Sequence, residues 1–163
     1  MRLLREVGIA PMMGWTNRHF LYLMRLISPN TRQYFEMLVD DTILHQHARL
    51  PRIYGPYSPQ VIPQIGGSSP SKLAESVLLL QALGYREINL NVGCPSSKVQ
   101  NGCFGAVLMK SPLLVGEIVS KIKATCPGLT MSVKCRIGVD EFEDFSFLFD
   151  FVSLIFVLQI QGS

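Results

Sequence analysis

The sequence lacks any uninterrupted run of about 18 apolar, uncharged residues, the length that a membrane-spanning helix requires. This absence predicts a protein with no membrane association. The first residues also lack the apolar segment of a secretory signal peptide. We therefore expect an intracellular location, either cytoplasmic or, if a leader has been lost, in an organelle such as a mitochondrion or plastid.

Paired cysteines and metal-ligand clusters are missing as well. The four cysteines form no C-x-x-C pair, and the three histidines do not complete a zinc-ligand set with them. This spacing argues against a metal site and predicts reduced thiols. The residues concerned are Cys94, Cys103, Cys126 and Cys135, with His19, His45 and His47.

Charged residues are sparse, at 17% of 163 residues, whereas hydrophobic residues make up 48%. This composition excludes wholesale disorder and is sufficient for one packed domain. Residues 1–139 carry 15 basic and 7 acidic groups, whereas residues 140–163 carry 5 acidic groups and no basic one. A basic surface fits a polyanionic partner, but this charge distribution by itself is better explained by an ordinary solvent-exposed surface.

Strand-like apolar runs alternate with segments of helical periodicity along the chain. Ser-Pro pairs at positions 69–70 and 111–112 are typical of helix starts. Such alternation predicts an α/β fold with a mostly parallel sheet. The predicted strands cover 7–10, 33–37, 61–65, 87–90 and 130–135, and the predicted helices 16–27, 40–50, 69–84, 111–126 and 144–158. Thr16 and Asp40 are the predicted caps of the first two helices, residues 51–60 are a predicted loop or small hairpin, Trp15 is a predicted packing anchor, and His45 and His47 are predicted helix-surface residues. The predicted core faces are Phe20, Leu23, Met24 and Ile27 on the first helix, Leu73, Val77 and Leu80 on the third, and Val115, Val119 and Ile122 on the fourth.

Polar side chains recur at or just beyond the carboxyl ends of the predicted strands. A (β/α)8 barrel and a doubly wound sheet both place ligands there, so this position alone does not choose between them. A complete barrel needs about 250 residues, so five βα units predict a partial (β/α)8 TIM barrel. The polar residues are Glu36, Gln64, Asn89, Asn91, Lys134 and Arg136.

The segment Asn89–Pro95 ends a predicted strand with two asparagines and a Gly-Cys-Pro corner. A thiol on such a corner is a candidate nucleophile or proton donor. The ordinary alternative is a small buried hydrophobe. With Asn91 before it and Pro95 after it, Cys94 is better explained by a functional role, and the other three cysteines by the ordinary one.

Several segments together resemble the tRNA-dihydrouridine synthase family, nearest its A-type branch. They occur in the family's order, and the Asn-x-Gly-Cys-Pro-Ser corner with the glycine-rich turn after it is the most specific of them. The matching segments are 10–19, 36–37, 64–68, 88–96, 99–102, 104–106, 108–109, 133–134 and 136–138.

This resemblance implies a barrel that binds FMN, is reduced by NADPH, and reduces uridine in tRNA to 5,6-dihydrouridine. Hydride reaches C6 of a flipped-out uracil, and a cysteine thiol protonates C5. By position, Cys94 is the implied proton donor. The implied cofactor contacts are Pro11, Met12, Met13, Gln64 and Lys134, and the implied tRNA contacts are Asn91, Arg136 and Lys98.

The family pattern also predicts a division of the chain. Residues 1–152 correspond to the N-terminal part of the FMN-binding barrel, and residues 153–163 form a divergent hydrophobic tail. The family's C-terminal half barrel and helical tRNA-binding domain have no counterpart in this sequence. Two alternatives therefore stay open: an inactive truncated form, and another FMN-barrel reductase that acts on small molecules.

Overall fold

The computed structural model describes residues 7–96, 99 and 102–161, and of residues 156–161 it describes only the backbone. In these ranges the strands are β1 (Gly8–Ile9), β2 (Arg32–Tyr34), β3 (Leu38–Val39), β4 (Val61–Ile62), β5 (Gln64–Gly66), β6 (Glu87–Val92) and β7 (Thr130–Cys135). The α-helices are α1 (Arg18–Ile27), α2 (Asp40–His45), α3 (Leu50–Tyr54), α4 (Pro70–Ala82), α5 (Pro112–Thr125) and α6 (Phe145–Gln161). Short 3₁₀ helices cover His47–Arg49 and Gly105–Lys110.

All pairings between these strands are parallel. One sheet has the order β1-β2-β4 and the other β3-β5-β6-β7. Residues 35–37 separate β2 from β3, and Pro63 separates β4 from β5. When these interrupted strands are joined, each strand lies beside the next one along the chain. A doubly wound sheet reverses its strand order, so the predicted α/β fold with a partial (β/α)8 barrel is confirmed.

Two strand predictions need correction, because each predicted strand is broken in the middle. The strand predicted at 33–37 ends at Tyr34 and resumes at Leu38, and the strand predicted at 61–65 is interrupted at Pro63. Proline has no N–H to donate to a ladder, which explains the second break. The strand predicted at 87–90 continues through Asn91 to Val92, so that Asn91 belongs to β6.

Helix α1 begins differently from the prediction. Asn17, not Thr16, is the cap residue, and its Oδ1 accepts hydrogen bonds from the backbone N–H groups of His19 and Phe20. The core side of the helix is also different, because Leu21 is buried whereas Leu23 and Ile27 are exposed. The spacing of apolar residues is ambiguous here, since this short helix carries them on several faces.

The segment after β3 contains more helix than predicted. Asp40 is the first residue of α2 rather than its cap, and α2 ends at His45. Residues 51–60 were predicted to be a loop or small hairpin, but α3 runs to Tyr54. Tyr54 is buried and its ring lies 4.4 Å from that of Phe35, so tertiary packing stabilises a helix that begins with Leu-Pro.

Helices α4 and α5 cover the outer face of the sheet as predicted. Their predicted core residues are all buried: Leu73, Val77 and Leu80 on α4, and Val115, Val119 and Ile122 on α5. Helix α6 packs against α5 through the buried Phe151 and Ile155. In the described ranges, no helix combines the length and the apolar character that a membrane span needs.

Candidate active site

The candidate site lies at the carboxyl ends of β5, β6 and β7. The strand register pairs Gln64 with Asn89, and Asn89 with Ser132. It also pairs Asn91 with Lys134. Residues two apart on a strand share a face, so Asn89 and Asn91 present their amides to the same side. The parallel register therefore brings residues from three distant segments together.

Four of these polar side chains form a continuous chain of hydrogen bonds, which we call the amide relay: Ser132, Asn89, Gln64 and Asn91. Asn89 Nδ2 lies 2.9 Å from Ser132 Oγ, and Gln64 Nε2 donates to Asn89 Oδ1 at 2.7 Å. Asn91 Nδ2 donates to Gln64 Oε1 at 2.9 Å. The three amide side chains are buried, so each hydrogen bond also satisfies a group that water does not reach.

The direction of the amide relay is set by the backbone at its far end. The N–H groups of Gly93 and Cys94 both donate to Asn91 Oδ1, at 3.1 and 2.6 Å. A backbone N–H can only donate, so Asn91 has to present its oxygen there and its nitrogen to Gln64. Gln64 in turn presents its nitrogen to Asn89. Among the described residues, one N–H of Gln64 keeps no acceptor, so the relay offers a donor to a ligand.

The Gly93–Pro95 corner holds the Cys94 thiol beside the amide relay. Cys94 is half-buried, and its Sγ lies 3.7 Å from Ser96 Oγ. Its backbone is held from both sides, because its N–H donates to Asn91 and its carbonyl accepts from Ala106 N at 2.9 Å. The thiol is therefore accessible while its main chain is anchored.

Gly105 allows the chain after the corner to return close to Cys94. Its φ is +71°, a region that favours glycine. A Cβ at this position would lie 2.6 Å from the Cys94 carbonyl oxygen and would also overlap Val99 Cγ1. The return of the chain at residues 102–105 onto the cysteine corner thus depends on glycine at position 105.

The loop between β1 and α1 is folded around Thr16, which is completely buried. Met12 N donates to Thr16 Oγ1 at 2.9 Å, and Thr16 Oγ1 donates in return to Met12 O at 3.2 Å. Glu36 adds a second anchor, since its Oε2 accepts from Gly14 N at 2.6 Å. These bonds hold the Pro11–Met13 segment above the strand ends.

Seven of the nine predicted site residues line one cavity of about 250 Å³. They are Pro11, Met13, Gln64, Asn91, Cys94, Lys134 and Arg136. Met12 lies in the same loop, but the cavity is not lined by it, and Lys98 lies outside the described residues. The functional roles of all nine stay predictions.

Sequence reasoning placed Asn89 among the polar residues at strand ends and Thr16 at a helix cap, but it assigned neither a site role and did not single out Ser132. The alternate spacing of Asn89 and Asn91 was a usable signal, because it places both amides on one face of a strand. The contribution of Ser132 depends on strand register, which the sequence does not display. Trp15 was predicted to be a packing anchor, but it is 71% exposed.

The other cysteines and histidines fit their predictions unevenly. Cys126 is buried as predicted, and burial raises the pKa of its thiol. Cys103 is exposed, so the prediction of a buried small hydrophobe is wrong there. His45 and His47 are exposed, in agreement with a surface position. Within the described residues, no three His, Cys, Asp or Glu side chains are grouped to hold a metal.

The residues around the cavity suit a flat heteroaromatic cofactor such as a flavin. Pro11 and Met13 supply apolar surface, while Gln64 offers a free N–H and Lys134 an exposed ammonium group to carbonyl and ring-nitrogen acceptors. A second cavity of about 330 Å³ shares Pro11 and Lys134 with the first. Together they reach the range of roughly 300–1,000 Å³ that is typical of cofactor sites.

Comparison with known proteins agrees with this geometry. The chain is 44% identical over 151 residues to a tRNA-dihydrouridine(20/20a) synthase of Escherichia coli, which covers 91% of this chain and 44% of the relative. Proteins of the same name from Vibrio parahaemolyticus and Shewanella oneidensis are 43% and 44% identical, over 92% and 93% of this chain and 45% and 44% of theirs. The chain thus spans less than half the length of these relatives.

The family model described as "Dihydrouridine synthase (Dus)" matches residues 8–156. This match includes every strand of the two sheets, the cysteine corner and all three amides of the relay. Because the match extends over most of the 163 residues, the chain belongs to the dihydrouridine synthase family.

Proposed function

We propose that this chain binds FMN at the strand-end cavity and takes part in the NADPH-driven reduction of uridine in tRNA to 5,6-dihydrouridine. The observation that carries the proposal is the convergence of Pro11, Gln64, Asn91, Cys94 and Lys134 on one cavity. These residues come from four separate strand ends of the barrel, where the chemistry of this fold is found.

Three groups of this chain suit the cofactor. Met13 and Pro11 offer an apolar surface for a flat ring, and the amide relay presents the free N–H of Gln64 toward it. Lys134 adds a positive charge that favours electron-rich states of a bound ring. When bound, FMN supplies the hydride that adds to C6 of the uracil and is itself re-reduced by NADPH.

Cys94 completes the proposed reaction by giving its Sγ proton to C5 of the uracil. A half-buried thiol on an anchored corner suits this role, because proton transfer requires a fixed distance and access to the substrate. A base reaches such a site only after leaving its stack. The exposed Arg136 and the second N–H of Asn91 are groups that can contact it.

The first test measures the visible flavin absorbance that the purified chain retains after incubation with FMN and removal of free ligand. Retained flavin supports the cavity assignment, whereas a colourless protein contradicts it and favours the inactive truncated form. Turnover of a small enone with NADPH, together with no effect of tRNA, favours the alternative small-molecule reductase.

The second test measures dihydrouridine formed in unmodified tRNA by Cys94→Ala and by a control, Cys103→Ala. Cys103 is exposed and does not line the cavity. We expect Cys94→Ala to keep its flavin and lose about 100-fold or more of the rate, as removal of a general acid does. Equal rates for wild type and Cys94→Ala would contradict the assignment of the proton donor.

A further inference from the structure

Two cavities outside the candidate active site form one groove beside helix α1. The first, of about 480 Å³, is lined by Arg18, Arg49 and Arg52 together with Glu36. The second, of about 490 Å³, is lined by Arg18 and Arg25. Both are lined by Arg18 and His19, so they are adjacent. We call the whole the arginine groove.

Few acidic side chains lie near the arginines of this groove to balance their positive charge. Arg49 and Arg52 are exposed, and Arg18 and Arg25 are half-buried. Within the described part of the chain, none of the four forms an ion pair with an acidic side chain. Glu36 is the acidic residue in the first cavity, where its Oε2 is occupied by Gly14 N, and no acidic residue lines the second. The groove is therefore strongly cationic.

The guanidinium of Arg18 is held in place at the centre of the groove. Its Nη1 donates to the Arg52 carbonyl at 2.6 Å, and its Nε donates to His19 Nε2 at 3.1 Å. A planar, fixed guanidinium of this kind suits phosphate oxygens, while Arg49 and Arg52 remain free to contact neighbouring phosphates.

The arginine groove is connected to the candidate active site. Glu36, at one end of the groove, bonds Gly14, and Gly14 follows Met13, which lines the active-site cavity. In sequence, the exposed Trp15 lies between Met13 of the active-site cavity and Arg18 of the groove. The exposed Tyr22 lines the second cavity of the groove. Exposed aromatic rings beside arginines are typical of nucleic-acid surfaces, because bases stack on them. A nucleic acid can place its phosphates in the groove and a base in the cavity that holds Cys94, whereas an acidic peptide has no base to place there.

We propose that the arginine groove binds the phosphate backbone of the tRNA whose uridine enters the active-site cavity. The proposal rests on the proposed function, because it takes the same tRNA as its ligand. It adds a surface beside α1 that neither Asn91 nor Arg136 lines. Helix α1 is about 15 Å long, so the groove is long enough for more than one phosphate.

The test compares the affinity for unmodified tRNA of the wild-type chain, Arg49→Gln/Arg52→Gln and a control, Arg86→Gln/Lys121→Gln, over a series of salt concentrations. Arg86 and Lys121 are exposed and line neither cavity of the groove, and their substitution removes the same amount of charge. Each phosphate contact contributes about one unit to the slope of log affinity against log salt. We expect the groove variant to bind at least tenfold more weakly with a slope smaller by about two, and the control to keep the wild-type slope.

Equal slopes for the groove variant and the control would overturn the proposal, as would a wild-type chain that does not bind tRNA. Arg49→Lys/Arg52→Lys should restore the slope, because lysine keeps the charge; no recovery would show that lost structure, not lost charge, caused the effect. Polyglutamate that binds through Arg49 and Arg52 while tRNA does not would identify an acidic protein as the partner instead. Groove-dependent binding of tRNA without any dihydrouridine would leave this inference standing and contradict the proposed function.

Discussion

Asn91 joins the amide relay to the cysteine corner, a structural role in addition to the substrate contact proposed for it. Its Oδ1 accepts from two consecutive N–H groups and its Nδ2 donates to Gln64. Because amide oxygen and nitrogen differ in hydrogen-bonding character, this arrangement determines which atom of Gln64 faces a ligand. The corner that carries the thiol and the amide proposed to face the cofactor are thus parts of one hydrogen-bond system.

Asn89→Asp tests the relay at its second member. A carboxylate still accepts from Gln64 Nε2 but no longer donates to Ser132, and it introduces a buried charge. We expect the free energy of unfolding to fall by about 1–3 kcal/mol and FMN retention to fall with it, measured by urea titration and flavin absorbance. Asn30→Asp makes the same chemical change at an exposed turn. If both variants behave alike, the relay has no special role.

Two neighbouring carboxyl groups predict opposite dependences of stability on pH. Burial raises the pKa of Asp40, whereas the hydrogen bond to Lys72 lowers that of Asp41. A group whose pKa is raised in the folded state contributes to the stability of the protein at low pH, and that contribution is lost as pH rises through the folded pKa. A group whose pKa is lowered in the folded state contributes to the stability of the protein above its unfolded pKa, and that contribution is lost as pH falls through the folded pKa.

We therefore expect Asp40→Asn to gain stability relative to wild type as pH rises above 3.8, the ordinary value of the group. Asp41→Asn should lose stability relative to wild type as pH rises toward 3.8, because the folded pKa of Asp41 lies below that value. The measurement is the urea midpoint of the three proteins at a series of pH values. Parallel curves for wild type and Asp40→Asn would show that the burial of this carboxyl has no energetic effect.

At the scale of elements, the chain after the cysteine corner is tightly constrained at Gly105. Gly105 and Gly128 have similar positive φ angles, +71° and +78°. A Cβ at Gly128 meets nothing within 4 Å, whereas one at Gly105 meets the Cys94 carbonyl and Val99. An alanine at position 128 therefore introduces backbone strain alone, whereas an alanine at position 105 introduces both backbone strain and steric overlap.

We expect Gly128→Ala to lower the free energy of unfolding by about 1 kcal/mol, the cost of a left-handed backbone for alanine. Gly105→Ala adds an overlap that forces a backbone shift, which costs about 1–3 kcal/mol more. It should also displace the Cys94 corner and slow dihydrouridine formation, whereas Gly128→Ala should not. Chemical denaturation and tRNA reduction measure the two effects, and equal losses would contradict the close approach at Gly105.

At the scale of the whole molecule, the sheet has a protected middle and two less protected sides. Ile65, Ile88, Leu90 and Val92 are almost completely inaccessible. Strand β6 pairs on both sides, with β5 and with β7. Within the described residues, β1 pairs with β2 alone and β7 with β6 alone. Stability is thus concentrated on β5 and β6, which carry Gln64 and the two asparagines of the relay.

Hydrogen exchange should reflect this distribution. We expect the amides of β6 to exchange most slowly, because paired and buried amides open only in large unfolding events. Those of β1 should exchange faster, since this strand has two residues and one neighbour. Exchange followed by mass spectrometry measures both. Uniform protection across β1, β6 and β7 would indicate that further pairing covers the edges.

The sequence by itself determined the fold class, the order of most elements and the composition of the candidate site. Strand–helix alternation, Ser-Pro helix starts and polar residues after strands are local patterns, and local patterns can be read from neighbouring residues. Strand β7 and the core faces of α4 and α5 were predicted correctly for this reason. The short helix α1 was not, because its apolar residues are spread over several faces.

Only the tertiary structure decided how the polar residues connect. Ser132 reaches Asn89, and Glu36 reaches Gly14, through contacts between segments that are distant in sequence. Thr16 was predicted to be a helix cap, but among the described residues its buried hydroxyl bonds only the Met12 backbone and so organises that loop. The arginine groove likewise combines α1 with residues beyond α2. Such contacts depend on strand register and helix packing, which are properties of the whole fold and not of any one segment.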